Sequence, residues 1–176
     1  SDRAMSLTLQ GRVDWLPEIV WDVALSGTGL DPAIYTPEWP GDMTLALKTR
    51  GQLQDGQVQA WLEELDLGGQ LRGREVSASG AASWANNQLQ TDGLLLSMGA
   101  NHIRIDGLVG DEADIRWQLE APLLSQIDSA LTGAISSRGD VKGTLDNPQI
   151  ELEIQANNLK WQDYELAGLD VQASSP

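Results

Sequence analysis

The side chains that most often carry catalysis or hold metals are sparse in this sequence and lack their usual partners. His102 is the one histidine in 176 residues, and no cysteine is present. A zinc site or an H-E-x-x-H motif needs further ligands, and a Ser-His-Asp triad would have to use His102 without a G-x-S-x-G turn around any serine. We therefore expect His102 on the surface of a strand, and we predict no catalytic residue, metal ligand, cofactor or enzymatic activity.

Two acidic clusters have alternative interpretations. The turn at 111–114 carries carboxylates that could bind Ca²⁺ weakly, but it lacks the ligand spacing and terminal glutamate of an EF-hand loop. Glu63, Glu64 and Asp66 could supply the acid and nucleophile of a glycosidase, yet no pocket signature surrounds them. We expect a solvated turn at 111–114. The second cluster is expected on an outer face or an edge, where charges block unwanted strand pairing.

Tryptophan is the main aromatic residue, and phenylalanine is absent. Indole rings could be stacking platforms for sugars, but a tryptophan can also place its ring in an apolar region and its N–H toward water. We expect most of the tryptophans to lie in a groove or on its rim. They are Trp15, Trp21, Trp39, Trp61, Trp84, Trp117 and Trp161.

Acidic residues dominate the charge, which is formally −15 at pH 7. Nucleic-acid affinity comes largely from Lys and Arg that displace counterions from phosphates, so we exclude nucleic acid as a partner. The same charge disfavours adhesion to anionic lipid headgroups, and lipid contact would have to use apolar surface. No apolar run approaches the ~20 residues of a membrane helix. Residues 1–13 lack the apolar core of a signal peptide. We expect a soluble segment whose parent could carry a signal or anchor elsewhere.

Apolar residues alternate with polar ones in short runs, which is the period of a strand with one buried face. Polar partners such as Thr44, Arg104 and Glu151 stand between the apolar positions. One face of the predicted sheet is therefore apolar and is expected to line a groove. The predicted groove-lining side chains are Met43, Leu45, Leu47, Ile103, Ile105, Ile115, Trp117, Leu119, Ile150, Leu152 and Ile154.

Turn-forming pairs such as Asp55-Gly56 and Asn86-Asn87 interrupt these runs. Short connections between neighbouring strands imply an antiparallel meander, so the sequence predicts an all-β fold of about eleven strands. The strands are expected near 6–13, 19–27, 42–51, 57–67, 70–78, 79–85, 88–97, 101–109, 112–120, 131–145 with a break, and 148–171 as a final hairpin.

Two segments depart from the strand pattern. Residues 30–41 contain three prolines, and Asp31 before Pro32 suits the N-cap and first position of one helical turn. Residues 121–131 place Pro122 at a possible first helical position, with apolar residues following at three-to-four spacing. We expect two short insertions that cover the apolar face locally, at the ends or along the rim of the array.

A glycine recurs within strand-like runs such as LTLQGRV, LKTRGQL and IRIDGLV. Glycine inside a strand usually marks a bulge, a bend or a close backbone approach. Bent strands favour a sheet that curls into a gutter over a flat sheet. The residues concerned are Gly11, Gly51, Gly80, Gly107, Gly139 and Gly143.

An antiparallel sheet of this size with one apolar face can close into a barrel, fold into a sandwich or stay open. A lining of Leu, Ile, Val, Met and Ala suits mobile acyl chains and suits a compact core nearly as well. The residue pattern alone leaves a closed all-β core and an open gutter as alternatives.

Three stretches carry motifs that are each little more than a strand and a turn. Residues 11–51 contain GRVDW, a W-D-V strand and LDPAIYTPEWPG; residues 67–107 contain an L-R-G strand and GANHIRIDG; residues 131–174 contain GDVKGTLDNPQ and ANNLKWQDYELAGL. As a set these stretches resemble the repeating segments of the TamB family of AsmA-like proteins. The resemblance covers most of the chain.

The resemblance implies that 1–176 is a single segment of a longer, repetitive periplasmic protein of a Gram-negative bacterium. Such a protein is anchored in the inner membrane and works with the outer-membrane barrel partner TamA. The implied fold is an open half-pipe, or β-taco, similar to bridge-like lipid-transfer proteins. Its implied cargo is phospholipid acyl chains, since an apolar lane removes a cost of ~0.8 kcal/mol for each CH₂ that water would otherwise contact.

Two other functions fit the same pattern. A chaperone-like module could accept nascent outer-membrane or autotransporter β-strands on an edge strand or in the trough. A carbohydrate-binding β-sandwich would require a closed, dry core and tryptophans clustered at one external site.

Overall fold

The computed structural model describes residues 4–144 and 146–175. Its eleven strands form one antiparallel sheet in which each strand lies beside its neighbours in sequence. The sheet is curled and does not close, with β1 at one end and β11 at the other. The predicted fold class, an all-β open half-pipe, is confirmed. The strands are β1 Ser6–Asp14, β2 Ile19–Leu30, β3 Gly41–Gln54, β4 Gln57–Leu71, β5 Arg74–Ala85, β6 Gln88–Met98, β7 Asn101–Val109, β8 Glu112–Ala121, β9 Leu131–Thr144, β10 Asn147–Trp161 and β11 Tyr164–Ser174.

Two of the predicted strand boundaries are wrong. The predicted strands 70–78 and 79–85 do not exist as separate elements, because β5 runs through them. A register shift at Gly80 takes the place of the expected turn, and a Cβ on Gly80 would lie 2.9 Å from the Cα of Leu94. A bulge of this kind bends a strand without ending it. The break predicted within 131–145 is also absent, since β9 is continuous up to Thr144.

Both insertions form single 3₁₀ turns, at Pro32–Ile34 and Leu124–Gln126. Asp31 is the N-cap of the first turn, as predicted, and its carboxylate accepts the backbone N–H of Ala33 at 3.0 Å and of Gly41 at 2.9 Å. The predicted first helical position of Pro122 is wrong, because the second turn begins at Leu124. Leu123 is held by Asn101 through both of its backbone polar groups, which delays the turn.

The connections between strands alternate between the two long edges of the half-pipe, and both 3₁₀ turns lie on the same edge. We call that edge the closed rim and the opposite edge the open rim. The closed rim comprises residues 30–41, 71–74, 98–101, 121–131 and 161–164. The open rim comprises residues 14–19, 54–57, 85–88, 109–112, 144 and 146–147.

The closed rim is held together by contacts between separate connections. The guanidinium of Arg72, in the β4–β5 turn, lies 5.1 Å from the ring centroid of Trp39 in the first insertion. The backbone N–H of Arg72 also donates to the carbonyl of Pro40 at 2.7 Å. In the second insertion, the side chain of Gln126 accepts the N–H of Ala100 at 2.6 Å. These contacts fix the insertions along this edge.

Burial is concentrated beside the closed rim. Among the described residues no large side chain is completely buried, so the protein does not fill the apolar face with its own packing. A sealed barrel or sandwich core, one of the two alternatives left by the sequence, is therefore excluded. Seven described residues other than glycine are buried; six of them line the closed rim or its adjacent row, and Ala113 is the exception. They are Met43, Val76, Asn101, Ala113, Ala121, Leu124 and Ala156.

Asn101 is the buried polar residue of this region, with 3% of its surface exposed. Its amide donates to the carbonyls of Met98 at 3.1 Å and Leu123 at 2.9 Å, and it accepts the N–H of Leu123 at 3.0 Å. We expect Asn101→Ala to lower the free energy of unfolding by about 1–3 kcal/mol, because buried backbone groups lose their partners. Urea denaturation measures this loss. Gln118→Ala, at an exposed position on the neighbouring strand, serves as the control, and equal effects of the two variants would contradict the assigned role.

Candidate functional site

The strand register places apolar side chains in continuous rows along one face of the sheet. Directly opposed residues of an antiparallel pair project to the same face. One row therefore crosses all eleven strands without a charged residue. It runs through Leu7, Gly27, Leu45, Leu67, Ala78, Leu96, Ile103, Leu119, Ser137, Ile154 and Val171.

The rows on either side hold the other predicted groove-lining residues. Leu47 pairs with Leu25 and Leu65, toward the β1 end. Toward the β11 end, Ile105, Trp117, Gly139 and Leu152 are opposed in turn, and in the next row Ile115, Val141 and Ile150 are opposed. All eleven predicted residues thus share one face. Met43 is buried beside the closed rim and the other ten are half-buried. Their contact with cargo stays a prediction.

A cavity of about 430 Å³ lies in the middle of this apolar face, between β4 and β8. Its volume falls within the ~300–1,000 Å³ that is usual for small-molecule sites. The predicted residues Ile105 and Ile115 contribute to its lining. The apolar face is therefore concave between β4 and β8, and we call the apolar face of the sheet the trough.

The sequence prediction missed four leucines of the cavity. Register shifts fall between Leu62 and Leu65 on β4 and between Thr91 and Leu94 on β6, and they break the two-residue alternation that marks a strand face. For β4, the signal that could have found them is the three-residue spacing of Leu62 and Leu65 around the bulge; on β6 the two leucines are separated by five positions and give no such signal. The leucines are Leu62, Leu65, Leu89 and Leu94.

Trp117 lies over Gly139 on the floor of the trough. A Cβ on Gly139 would come within 2.6 Å of Cζ2 of the indole, so only glycine leaves space for the ring. The indole N–H donates to the hydroxyl of Ser137 at 3.1 Å. Because its one polar group is already bonded, the ring is presented to the trough as apolar surface.

The same arrangement occurs at Trp21, six strands earlier. Trp21 lies over Gly51, and its N–H donates to the hydroxyl of Thr49 at 3.4 Å. Each tryptophan is on the first strand of a pair joined by an insertion with a 3₁₀ turn. The close backbone approach predicted for strand glycines is confirmed at Gly51 and Gly139, where a Cβ would also meet the carbonyl oxygens of Gln59 and Glu151. The two strand pairs form an internal repeat of the trough.

The remaining tryptophans are mostly on the rims. Trp61 is the exception, because it lies on the polar face with the guanidinium of Arg50 5.4 Å from its ring centroid. These positions agree with the expectation that most tryptophans lie in a groove or on its rim. Trp15 lies on the open rim, Trp84 in the apolar row beside it, and Trp39 and Trp161 on the closed rim.

The opposite face of the sheet is charged, and its charges pair across strands. The carboxylate of Glu63 lies 3.0 Å from Nζ of Lys48 and 2.8 Å from Nε of Arg50, on the polar face. The hydrogen bond from Lys48 holds the pKa of Glu63 below its ordinary value of 4.5 and raises the pKa of Lys48. The carboxylate of Glu63 is thus paired with the side chains of Lys48 and Arg50 on the neighbouring strand.

A larger concavity of about 840 Å³ also lies on the polar face, between β8 and β11. Arg138 and Glu153 pair there, and Asp140 pairs with Lys142 nearby. Such a surface is a poor place for an apolar ligand, since burying paired charges without replacing their water is costly. The trough, although its cavity is smaller, is the better candidate site.

The histidine and the acidic residues of the 111–114 turn, considered above as possible catalytic or metal-binding groups, lie apart from one another. His102 is exposed on β7 opposite Glu120, and Asp111 and Glu112 are exposed on the open rim. Within residues 4–144 and 146–175, no three His, Asp or Glu side chains are grouped as metal ligands would be. In the same residues no helix has the length and apolar character to cross a bilayer.

An open antiparallel sheet whose apolar concave face is left largely uncovered defines a trough-forming β protein. The family model described as "TamB, N-terminal domain" matches residues 4–175. The chain therefore belongs to the TamB N-terminal domain family, which confirms the resemblance.

One protein of this family is similar in sequence to most of the chain. The Translocation and assembly module subunit TamB of Haemophilus influenzae is 26% identical over 163 residues, which is 92% of this chain. The match spans 13% of that relative's length. No solved structure matches the chain.

Proposed function

We propose that this chain is a non-enzymatic segment of an envelope-spanning periplasmic protein, and that its trough shields phospholipid acyl chains during transport between the inner and outer membranes. The observation that carries the proposal is the uncharged row from Leu7 to Val171, which crosses every strand and remains accessible. Its members Leu7 and Leu96 are 53% and 39% exposed, although both face the trough. A face meant only for self-packing would be covered.

The dimensions suit a lane better than a single pocket. Strands lie ~4.8 Å apart, so eleven of them make a section on the order of 50 Å long. An acyl chain in water costs ~0.8 kcal/mol for each CH₂, and uniform aliphatic contact removes that cost at every step. A lane without a charged pocket also avoids a deep local minimum that would trap the lipid.

The wider setting follows from the relative's description as a subunit of a translocation and assembly module. We propose that the parent protein is anchored in the inner membrane, that this segment lies in the periplasm, and that the parent works with the outer-membrane barrel protein TamA in outer-membrane biogenesis. The segment supplies part of the lane.

A second candidate is a chaperone-like module for outer-membrane or autotransporter β-strands. The trough favours it as well, because the apolar side chains of an extended peptide could contact the same uncharged row from Leu7 to Val171. The two proposed functions differ in what the trough binds, which is lipid in the first and polypeptide in the second.

Site-specific photo-crosslinking tests them. A photoreactive amino acid at Leu45, Ile105 or Trp117 of the parent protein in cells is expected to yield lipid adducts, detected by mass spectrometry. The same amino acid at Gln118, on the polar face, is the matched control and is expected to yield none. Polypeptide adducts at the trough positions would favour the chaperone, and equal lipid labelling at Gln118 would defeat the transport proposal.

A further inference from the structure

The apolar side chains of the trough are exposed to water beside the open rim. Apolar side chains of the row beside it are exposed, with Trp84 at 38%, Leu89 at 43% and Val109 at 40%. Leu16, in the β1–β2 connection, is 88% exposed. On the opposite side, beside the closed rim, the apolar side chains are buried, with Met43 and Val76 at 7% and Leu124 at 8% exposure. A lipid with its acyl chains in the trough would therefore hold its headgroup at the open rim.

The two rims differ in charge. The open rim carries six carboxylates and no Lys or Arg, whereas the closed rim carries four carboxylates together with Arg72 and Arg74. Among the described residues, Arg12 forms an ion pair with one open-rim carboxylate, that of Asp14. The six open-rim carboxylates belong to Asp14, Glu18, Asp55, Asp111, Glu112 and Asp146.

From this asymmetry we infer that the trough selects phospholipids whose headgroup ends in a primary ammonium, such as phosphatidylethanolamine, over anionic phospholipids such as phosphatidylglycerol. The inference rests on the proposed lipid function. A primary ammonium extends beyond the phosphate and offers three hydrogen-bond donors, which carboxylates accept. A headgroup with only its phosphate charge meets like charge along the whole rim.

The expected preference for the ethanolamine lipid is limited by the strength of electrostatic interactions at a hydrated surface. Charges at a hydrated rim interact through a high dielectric constant, and salt screens them over about 8 Å at 0.15 M ionic strength. We expect about fivefold enrichment of the ethanolamine lipid at this ionic strength, a factor that a difference of about 1 kcal/mol produces. At 1 M salt, where the screening length is about 3 Å, the enrichment is expected to fall toward parity.

The test uses lipid competition. The chain is incubated with vesicles of equal phosphatidylethanolamine and phosphatidylglycerol with identical acyl chains, re-isolated, and its bound lipids are quantified by mass spectrometry. A first variant combines Asp55→Asn, Asp111→Asn, Glu112→Gln and Asp146→Asn and is expected to bind as much total lipid without the enrichment. A matched control removes the same charge from exposed residues away from the open rim. It combines Asp66→Asn, Glu75→Gln, Glu151→Gln and Asp170→Asn and is expected to keep the enrichment.

The outcomes separate the two proposals. Bound lipid in the ratio supplied, or enrichment of phosphatidylglycerol, would overturn the headgroup inference and leave the transport proposal standing. Loss of enrichment in both variants alike would also overturn the inference. It would mean that the net charge of the whole chain causes the enrichment, and that the position of the carboxylates on the open rim does not matter. Absence of any bound lipid would defeat the transport proposal itself.

Discussion

Arginine or aspartate at Leu45, Ile105 or Leu152 is expected to abolish lipid transport by the parent protein while the chain still folds. These side chains are half-buried and face the trough, so a charge there retains contact with water when the trough is empty. An acyl chain passing the same point would strip that water, and an unpaired charge in an apolar lane is costly. Growth complementation by the variant parent measures function, and circular dichroism with urea denaturation of the chain measures folding.

Two control substitutions make this expectation decisive. Val76 lies on the same face but is only 7% exposed beside the closed rim, so Val76→Asp is expected to unfold the chain. Gln118→Arg, on the polar face of β8, is expected to change neither function nor folding. If the trough variants unfold as Val76→Asp does, the trough is an ordinary core. If they fold and transport normally, this face is not the lipid path.

The sequence predicted the apolar face well because a strand alternates its side chains with a period of two. In a meander of short connections, that period alone decides which residues share a face. Leu45 and Ile154 lie seven strands apart in one row, and their local patterns were sufficient to assign both to the groove. Glu63 was expected on an outer face or an edge because no pocket signature surrounds it, and it lies on the polar face, where it pairs with Lys48.

The bulges were harder to predict because they depend on the partner strand. Nothing in the sequence around Gly80 distinguishes a turn from a bulge, and the choice follows from how β4 and β6 pair on either side. The leucines at 62 and 65 were missed for the same reason. Local pattern also could not decide whether the sheet closes, since closure depends on curvature accumulated over all eleven strands.

The closed rim shows a third limit of sequence reasoning. Asn101 stands in a strand that the pattern assigned correctly, yet its role is to hold Leu123, 22 residues away in an insertion. A side chain that bonds a distant backbone leaves no periodic signal. The difference in burial between the two rims, on which the headgroup inference partly depends, was therefore visible only in the structure.

Gly139→Ala is expected to give a large loss of stability, because it adds a methyl group to a crowded part of the trough floor. The new Cβ would lie 2.6 Å from Cζ2 of Trp117 and would also meet the backbone carbonyl oxygen of Glu151 on β10. The indole can move, but the carbonyl belongs to the β9–β10 pairing, so the strands themselves must shift. We expect the free energy of unfolding to fall by about 1–3 kcal/mol or more, as overpacking of this kind does. Urea denaturation followed by tryptophan fluorescence measures it.

Gly68→Ala is the matched control for this effect. A Cβ at Gly68 would have the hydroxyl of Thr44, 3.9 Å away, as its nearest neighbour, and the position lies within a central strand. Alanine there is expected to be neutral or stabilising by about 0.5–1 kcal/mol, since glycine is unfavourable in a strand. A double-mutant cycle of Gly139→Ala with Trp117→Leu is expected to show coupling of about 0.5–3 kcal/mol between the two positions. Independent, additive effects would mean that the ring does not lie over the glycine, and the repeated Trp–Gly arrangement would lose its place on the floor of the trough.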